Sequence, residues 1–167
     1  MLRKKCKKLA IRGIISDIVC TGLIEVVRLK ITTKGRYGLT IMIELAKRSG
    51  EGPLSLKAIA DEHHLSVHYL EQLAALLRNA GLITSVRGAY GGYKLAKRAE
   101  HIKASHILRA LEGPLVLVEG IEHEIPAQQK LWSQMTQAVK QVLDTTTLAN
   151  LAAYDSANDE EQYMFYI

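Results

Sequence analysis

The chain is nearly without cysteine. Cys6 and Cys20 both fall in the first 29 of its 167 residues, and none follows. From residue 21 onward neither a disulfide framework nor a thiolate metal site can be built, which fits a reducing cytoplasm. Long apolar runs are missing too. No stretch approaches the ~18 residues needed to cross a bilayer as a helix, so a helical membrane protein is excluded. The parts of an enzyme are equally scarce, with no nucleophile beside a base and no phosphate-binding loop. The stretch RGAYGG at 87–92 is glycine-rich but lacks the strand–loop–helix context and the Lys-Ser/Thr pair that grip a nucleotide. His63, His64 and His68 straddle a turn and cannot share a helical face, and His101, His106 and His123 are spaced irregularly. The chain reads as a non-enzyme with no cofactor and no metal.

What is present is a segregation of charge. Residues 30–109 hold thirteen Lys/Arg against six Asp/Glu, whereas residues 110–167 hold two against nine. A basic body joined to an acidic C-terminal third is expected when only one part meets phosphate. An accident of solvated faces is the bland alternative. Residues 1–29 are basic at first and then apolar, like an export signal, but Arg12 and Asp17 interrupt the apolar part and no small-residue cleavage pattern follows. They are expected to be an N-terminal extension, weakly ordered or artefactual.

Periodicity divides the rest. Residues 33–49 read as a helix with Thr33 as cap and Tyr37, Ile41, Leu45, Leu39, Met42, Ile43 and Ala46 on its apolar face. Ser55 caps a second short helix through Glu62, with Leu56, Ile59 and Ala60 inward. After a turn at 63–65, Ser66 caps a third helix, patterned by Tyr69, Leu70, Leu73, Leu76 and Leu77 and stopped at Gly81, which suits a left-handed C′ position. Two short strands, 82–86 and 93–95, flank RGAYGG, and a helix follows over 104–112. Residues 115–126 give no clear reading. The longest helical pattern is 127–144, where Leu131, Met135, Ala138 and Val142 recur at intervals of four, three and four, with Trp132, Val139 and Leu143 as a second stripe. Two stripes imply two neighbours, its own domain and a partner; an ordinary core helix is the alternative. A short helix over 148–154, an acidic mobile segment and the apolar ending YMFYI complete the chain.

Two short helices, a tight turn and a glycine-rich hairpin make a winged helix-turn-helix. That arrangement places one helix in a DNA groove and a basic loop beside it. With the leucines of the third helix turned inward, Ser66, His68, Tyr69, Glu71 and Gln72 are left near its entering end. Gln can bond adenine, Glu can accept from cytosine N4, and His68 can donate to a base or phosphate. Arg87 on the wing suits a narrow minor groove. Lys34, Arg36, Arg78 and Lys94, with Ser66 and Tyr69, are candidates for the DNA backbone, and Lys97 and Arg98 extend the basic region.

The segments TTKGRYGLTIMIELA, LSVHYLEQL, LRNAGLITSVRGAYGGYKL and HILRALEGP, in this order, resemble the successive signatures of the Rrf2 family of bacterial regulators. The resemblance runs from Lys30 to Ile167. It implies that His68, Glu71 and Gln72 read bases, that Arg87 enters the minor groove, and that the helix at 127–144 pairs two protomers through Leu131, Trp132, Met135, Ala138, Val139 and Val142. The segment DTTTLANLA and the ending YMFYI are similar to family members that repress cysteine metabolism. Such members associate with cysteine synthase (O-acetylserine thiol-lyase) as corepressor, an enzyme that captures tails ending in isoleucine. Tyr166 and Ile167 are then a docking peptide, unless the tail folds back on the dimer helix. Iron–sulfur members carry three cysteines before the long helix. This chain has none there, so that mode of sensing is excluded in its usual form. Family members also begin close to Leu29, which is read as a non-AUG start with residues 1–28 as translated upstream sequence.

The expected fold is mainly α with a small β-wing: a winged helix-turn-helix over 30–112, then a dimerisation helix and tail over 113–167. The expected function is a cytoplasmic, homodimeric repressor of cysteine and sulfur genes that binds double-stranded operator DNA. The rival is a protein-interaction adaptor that keeps the winged-helix scaffold without binding DNA.

Overall fold

A computed structural model describes residues 31–88, 90–114 and 124–164, the side chains of 158–164 excepted. The expectations for residues 1–29, for most of 115–126 and for Tyr166 and Ile167 lie outside the described residues. In chain order the elements are α1 (Thr33–Lys47), α2 (Leu56–His63), α3 (Val67–Asn79), β1 (Ile83–Val86), β2 (Gly92–Leu95), a 3-10 turn (Ala99–His101), α4 (Ala104–Glu112), α5 (Pro126–Thr145) and α6 (Leu148–Met164).

The cap of α1 is Thr32 rather than Thr33. Thr32 has extended backbone and its hydroxyl accepts from Lys34 N at 3.2 Å, so the helix begins one residue after it. Ser55 caps α2 as its sequence position predicts, accepting from Ala58 N at 3.1 Å. The end of α3 follows the left-handed cap pattern in full. Gly81 has φ +68°, its N–H donates to Arg78 O, and Leu82 N–H reaches back to Leu77 O at 3.0 Å. That reversal throws the chain directly into β1.

One core unites these elements. Ile41 and Met42 of α1, Ile59 of α2, Leu70, Leu73 and Leu77 of α3, Ile83, Ile102, Ile107 and Leu148 are all essentially removed from solvent. Each buried aliphatic side chain of this size contributes roughly 1.5–3 kcal/mol. Leu76 does not join them. It lies off the axis of the buried face of α3 and stays exposed, against the expectation from its spacing. On α1, Gly38 gives close approach to α4, because a Cβ there would overlap Leu111 Cδ1 and sit 3.0 Å from Leu111 Cδ2.

The C-terminal helix is longer than predicted. It runs from Leu148 through the acidic segment to Met164 instead of stopping near Tyr154. It lies along α1, where Leu148 is fully buried and Asp155 Oδ2 pairs with Lys47 Nζ at 3.1 Å. Helix-favouring Ala, Glu and Gln continue the turn geometry where charge alone suggested mobile chain. The α5–α6 junction is held by Leu148 N to Ile102 O at 2.7 Å and Ala104 N to Thr146 O at 2.9 Å.

Candidate nucleic-acid interface

The turn between α2 and α3 is made by His64 in the left-handed region, φ 53°, with Leu65 N–H donating to Ala60 O at 2.9 Å. It aims the start of α3 away from the core. With Leu70, Leu73, Ala74 and Leu77 buried, His68, Glu71 and Gln72 form an exposed row on the opposite side. The row is connected: Gln72 Nε2 lies 3.2 Å from His68 Nε2, and His68 Nδ1 lies 3.7 Å from Glu71 Oε2. All three are solvated, so exchanging these weak contacts for base edges costs little. Ser66 occupies the cap position, but its side chain makes no capping bond. Ser66 is exposed, and the first N–H groups of α3 have no partner within the helix.

Tyr69 is half-buried and meets Tyr37 edge-on, ring centroids 6.0 Å apart at 80°. This packing accords with its place in the apolar pattern of the third helix, beside its candidate role at the DNA backbone. This contact sets the first turns of α1, with Lys34 half-buried and Arg36 exposed, beside the start of α3. Arg78 is exposed at the far end of α3, ~10 Å along the axis from Glu71 and on nearly the same face.

The wing is a two-stranded antiparallel ladder in the register Ile83↔Leu95, Thr84↔Lys94, Ser85↔Tyr93 and Val86↔Gly92. Residue 54 joins it as a third, single-residue strand. Tyr93 N–H donates to Leu54 O at 2.8 Å, and Leu54 N–H donates to Tyr93 O at 2.9 Å. Only glycine fits at 92, where a Cβ would strike the Leu54 carbonyl. Arg87 stands exposed where β1 enters the wing loop, and Lys94 is exposed on β2. A cleft of about 590 Å³ beside the wing has Lys94 and Lys97 in its lining, with Arg48 and Arg98 there paired to Glu62 and Glu100.

Three groups with structural or surface roles escaped the sequence reading. Tyr90 at the wing tip is 94% exposed, the most exposed large hydrophobic residue described. Glu112 accepts hydrogen bonds from the start of α1. Glu44 is a carboxylate only 1% exposed on the apolar face of α1, with Lys47 Nζ at 3.5 Å, His63 Nε2 at 3.2 Å and Arg48 Nη2 at 3.7 Å. No single-sequence signal distinguishes such a Glu from a solvated one. Glu44, Glu62 and His63 bring ligand-type atoms within 4.8 Å of one another. Lys47 and Arg48 already neutralise the same carboxylates, Arg48 reaching Glu62 at 2.6 Å, so the cluster is an ion-pair network joining α1 and α2.

The long helix α5 has no fully buried residue in the single chain. Trp132, Val139 and Leu143 are half-buried, and α5 as a whole packs on α4. Leu131, Met135 and Val142 are 49%, 45% and 62% exposed, and Ala138 between them is exposed too. The two stripes thus differ in exposure: one is half-buried, the other is bare. No described helix is long and apolar enough to cross a membrane.

Comparison with known proteins agrees with this architecture. The chain is 60% identical over 139 residues to the HTH-type transcriptional regulator CymR of Bacillus subtilis, covering 83% of this chain and all of that protein. The solved structure of B. subtilis CymR, described as the global cysteine regulator, superposes with a TM-score of 0.73 at 61% identity, covering 76% of this chain and 98% of the other. Staphylococcus aureus CymR gives a TM-score of 0.65 at 61% identity over 72% of this chain and 96% of its own. Residues 31–154 match the Rrf2 family, described as an iron-dependent transcriptional regulator. With a winged helix-turn-helix, a long following helix and relatives that are transcriptional regulators rather than enzymes, the chain belongs to the Rrf2 family.

Proposed function

We propose that this transcriptional regulator is a cytoplasmic homodimeric repressor that binds pseudo-palindromic operator DNA at genes of cysteine and sulfur metabolism. The observation that carries the reading is the exposed row His68, Glu71 and Gln72, set on the same rigid unit as the exposed wing residue Arg87. The row offers donors and acceptors for base edges in a major groove, and Arg87 offers a cation for the neighbouring minor groove. Lys34, Arg36, Ser66, Tyr69, Arg78 and Lys94 serve the sugar–phosphate backbone. Residues 30–112 form the DNA-binding unit, and 113–167 the pairing helix and tail. The bare stripe of Leu131, Met135, Ala138 and Val142 supports pairing of two protomers, with Trp132 and Val139 backing it. Pairing would set two recognition helices one DNA turn, ~34 Å, or a multiple of it apart.

Cysteine metabolism as the regulated function rests on the identity to CymR, the global cysteine regulator of B. subtilis. No cysteine lies beyond residue 20, so the regulator works without an iron–sulfur cluster. Its signal comes from a partner, cysteine synthase acting as corepressor and engaging Tyr166 and Ile167. Deleting Ile167 should then abolish binding to the synthase, and undiminished affinity would reject tail docking.

The deciding experiment is fluorescence anisotropy with promoter and random duplexes across a range of salt concentrations. Tight promoter binding whose logarithm falls linearly with log salt, and weaker binding to random DNA, is the expected result. Equal affinity for both duplexes would reject operator recognition. No binding to either would leave the adaptor reading.

A further inference from the structure

The wing tip carries a side chain that neither the basic surface nor the core uses. Tyr90 is 94% exposed, and none of its atoms has a hydrogen-bond or ring partner among the described residues. A tyrosine ring is a large apolar body with one polar handle, and leaving it wholly in water wastes area that could be buried elsewhere. In a floppy loop that exposure would carry no message. The residues that flank this tip are tied by hydrogen bonds. Gly91 N–H donates to Gly88 O at 2.9 Å, β1 and β2 pair in register up to Val86 and Gly92, and Tyr93 is bonded twice to Leu54. Four extended residues raise the tip ~13 Å above Ile83. The exposed ring thus stands just beyond a paired ladder, close in sequence to Arg87.

We infer that Tyr90 is a second DNA contact of the wing, its ring packing against the sugar wall of the minor groove that Arg87 enters and its hydroxyl donating to a phosphate oxygen. The inference rests on the operator-binding reading above and adds to it. Arg87 supplies charge but little contact area; Tyr90 supplies area without charge, and a contact of that kind is sensitive to groove width. The division of labour makes the two residues separable by salt. Removing a cation lowers the slope of log affinity against log salt by about one, whereas removing a neutral ring leaves the slope unchanged.

The test compares wild-type protein, Tyr90→Ala, Tyr90→Phe and Arg87→Ala on an operator duplex. The measurements are anisotropy over a salt series, hydroxyl-radical footprinting and thermal melting. Tyr90→Ala is expected to weaken operator binding at least about fivefold, a typical loss for one groove contact. Its salt slope and melting temperature should not change. Minor-groove protection at the outer flank should vanish while major-groove protection stays. Tyr90→Phe should keep the flank protection and lose only part of the affinity. If wild type binds and Tyr90→Ala gives the same affinity and the same footprint, this inference is overturned and operator binding stands. If wild type binds no duplex, both readings fall.

Discussion

The side-chain hydroxyl of Thr32 donates a 2.7 Å hydrogen bond to Oε1 of Glu112, which lies eighty residues further along the chain. The same oxygen accepts from Thr32 N at 3.0 Å and Gly35 N at 2.9 Å. The first turn of α1, whose N–H groups have no partner within the helix, is therefore capped by the last turn of α4. An anionic acceptor at a helix N-terminus also meets the positive end of its dipole.

Replacing Glu112 by alanine removes all three bonds at once. Chemical denaturation should show a loss of about 1–3 kcal/mol. Glu112→Gln keeps one acceptor oxygen and should lose less. If both variants are as stable as the parent, the cap adds nothing.

Gly38→Ala tests the packing of α1 on α4. A methyl there meets the Leu111 side chain, with Cγ at 3.2 Å. The gain in helix propensity, ~0.5–1 kcal/mol, works against an overpacking cost of ~1–3 kcal/mol, so a net loss is expected. Trimming Leu111 to Ala in the same chain should recover part of the Gly38→Ala penalty in a double-mutant cycle. Additive losses would show that the two sites do not touch.

On operator DNA, Arg87→Ala and Gln72→Ala should each cost about 1–3 kcal/mol of binding free energy, with much smaller losses on random duplex. Gln72 gives up only a weak contact to His68 in the process. A loss of equal size on both duplexes would reassign either residue to the backbone.

Met135→Lys puts a charge in the middle of the bare stripe of α5. Met135 is already 45% exposed in the single chain, so folding should be unaffected. Dimer affinity should fall by at least about 2 kcal/mol, read by light scattering during size-exclusion chromatography. A dimer unchanged by this substitution would move the pairing surface elsewhere.

Much of this architecture is legible in the sequence because its signals are local. Ser55 and Gly81 sit at their helix ends for reasons of backbone geometry, and 4-3-4 spacing marks the long helix whatever surrounds it. The two stripes of α5 differ in exposure, one half-buried and one bare. What stayed hidden depends on partners distant in the chain. Glu112 looks like any helix-terminal acid until Thr32 is beside it. Glu44 sits among apolar residues and is tolerated only because Lys47, Arg48 and His63 converge on it. The start of α6 is tied to a distant partner as well, since Asp155 pairs with Lys47 more than a hundred residues away. Among the site residues, exposure of His68, Glu71, Gln72 and Arg87 matches the pattern, whereas the partner of half-buried Tyr69, the ring of Tyr37, needed the fold.

The paired bonds between Leu54 and Tyr93 have a mechanical meaning. They splice the segment that leads into α2 onto the strand that returns from the wing, so hairpin and helices form a caliper whose jaws are welded at the hinge. A caliper of fixed gap measures; it does not adapt. Any duplex gripped by both jaws would have to bring its own grooves to that gap by bending or narrowing. Sequences that deform easily would then be preferred even at base pairs that no side chain touches.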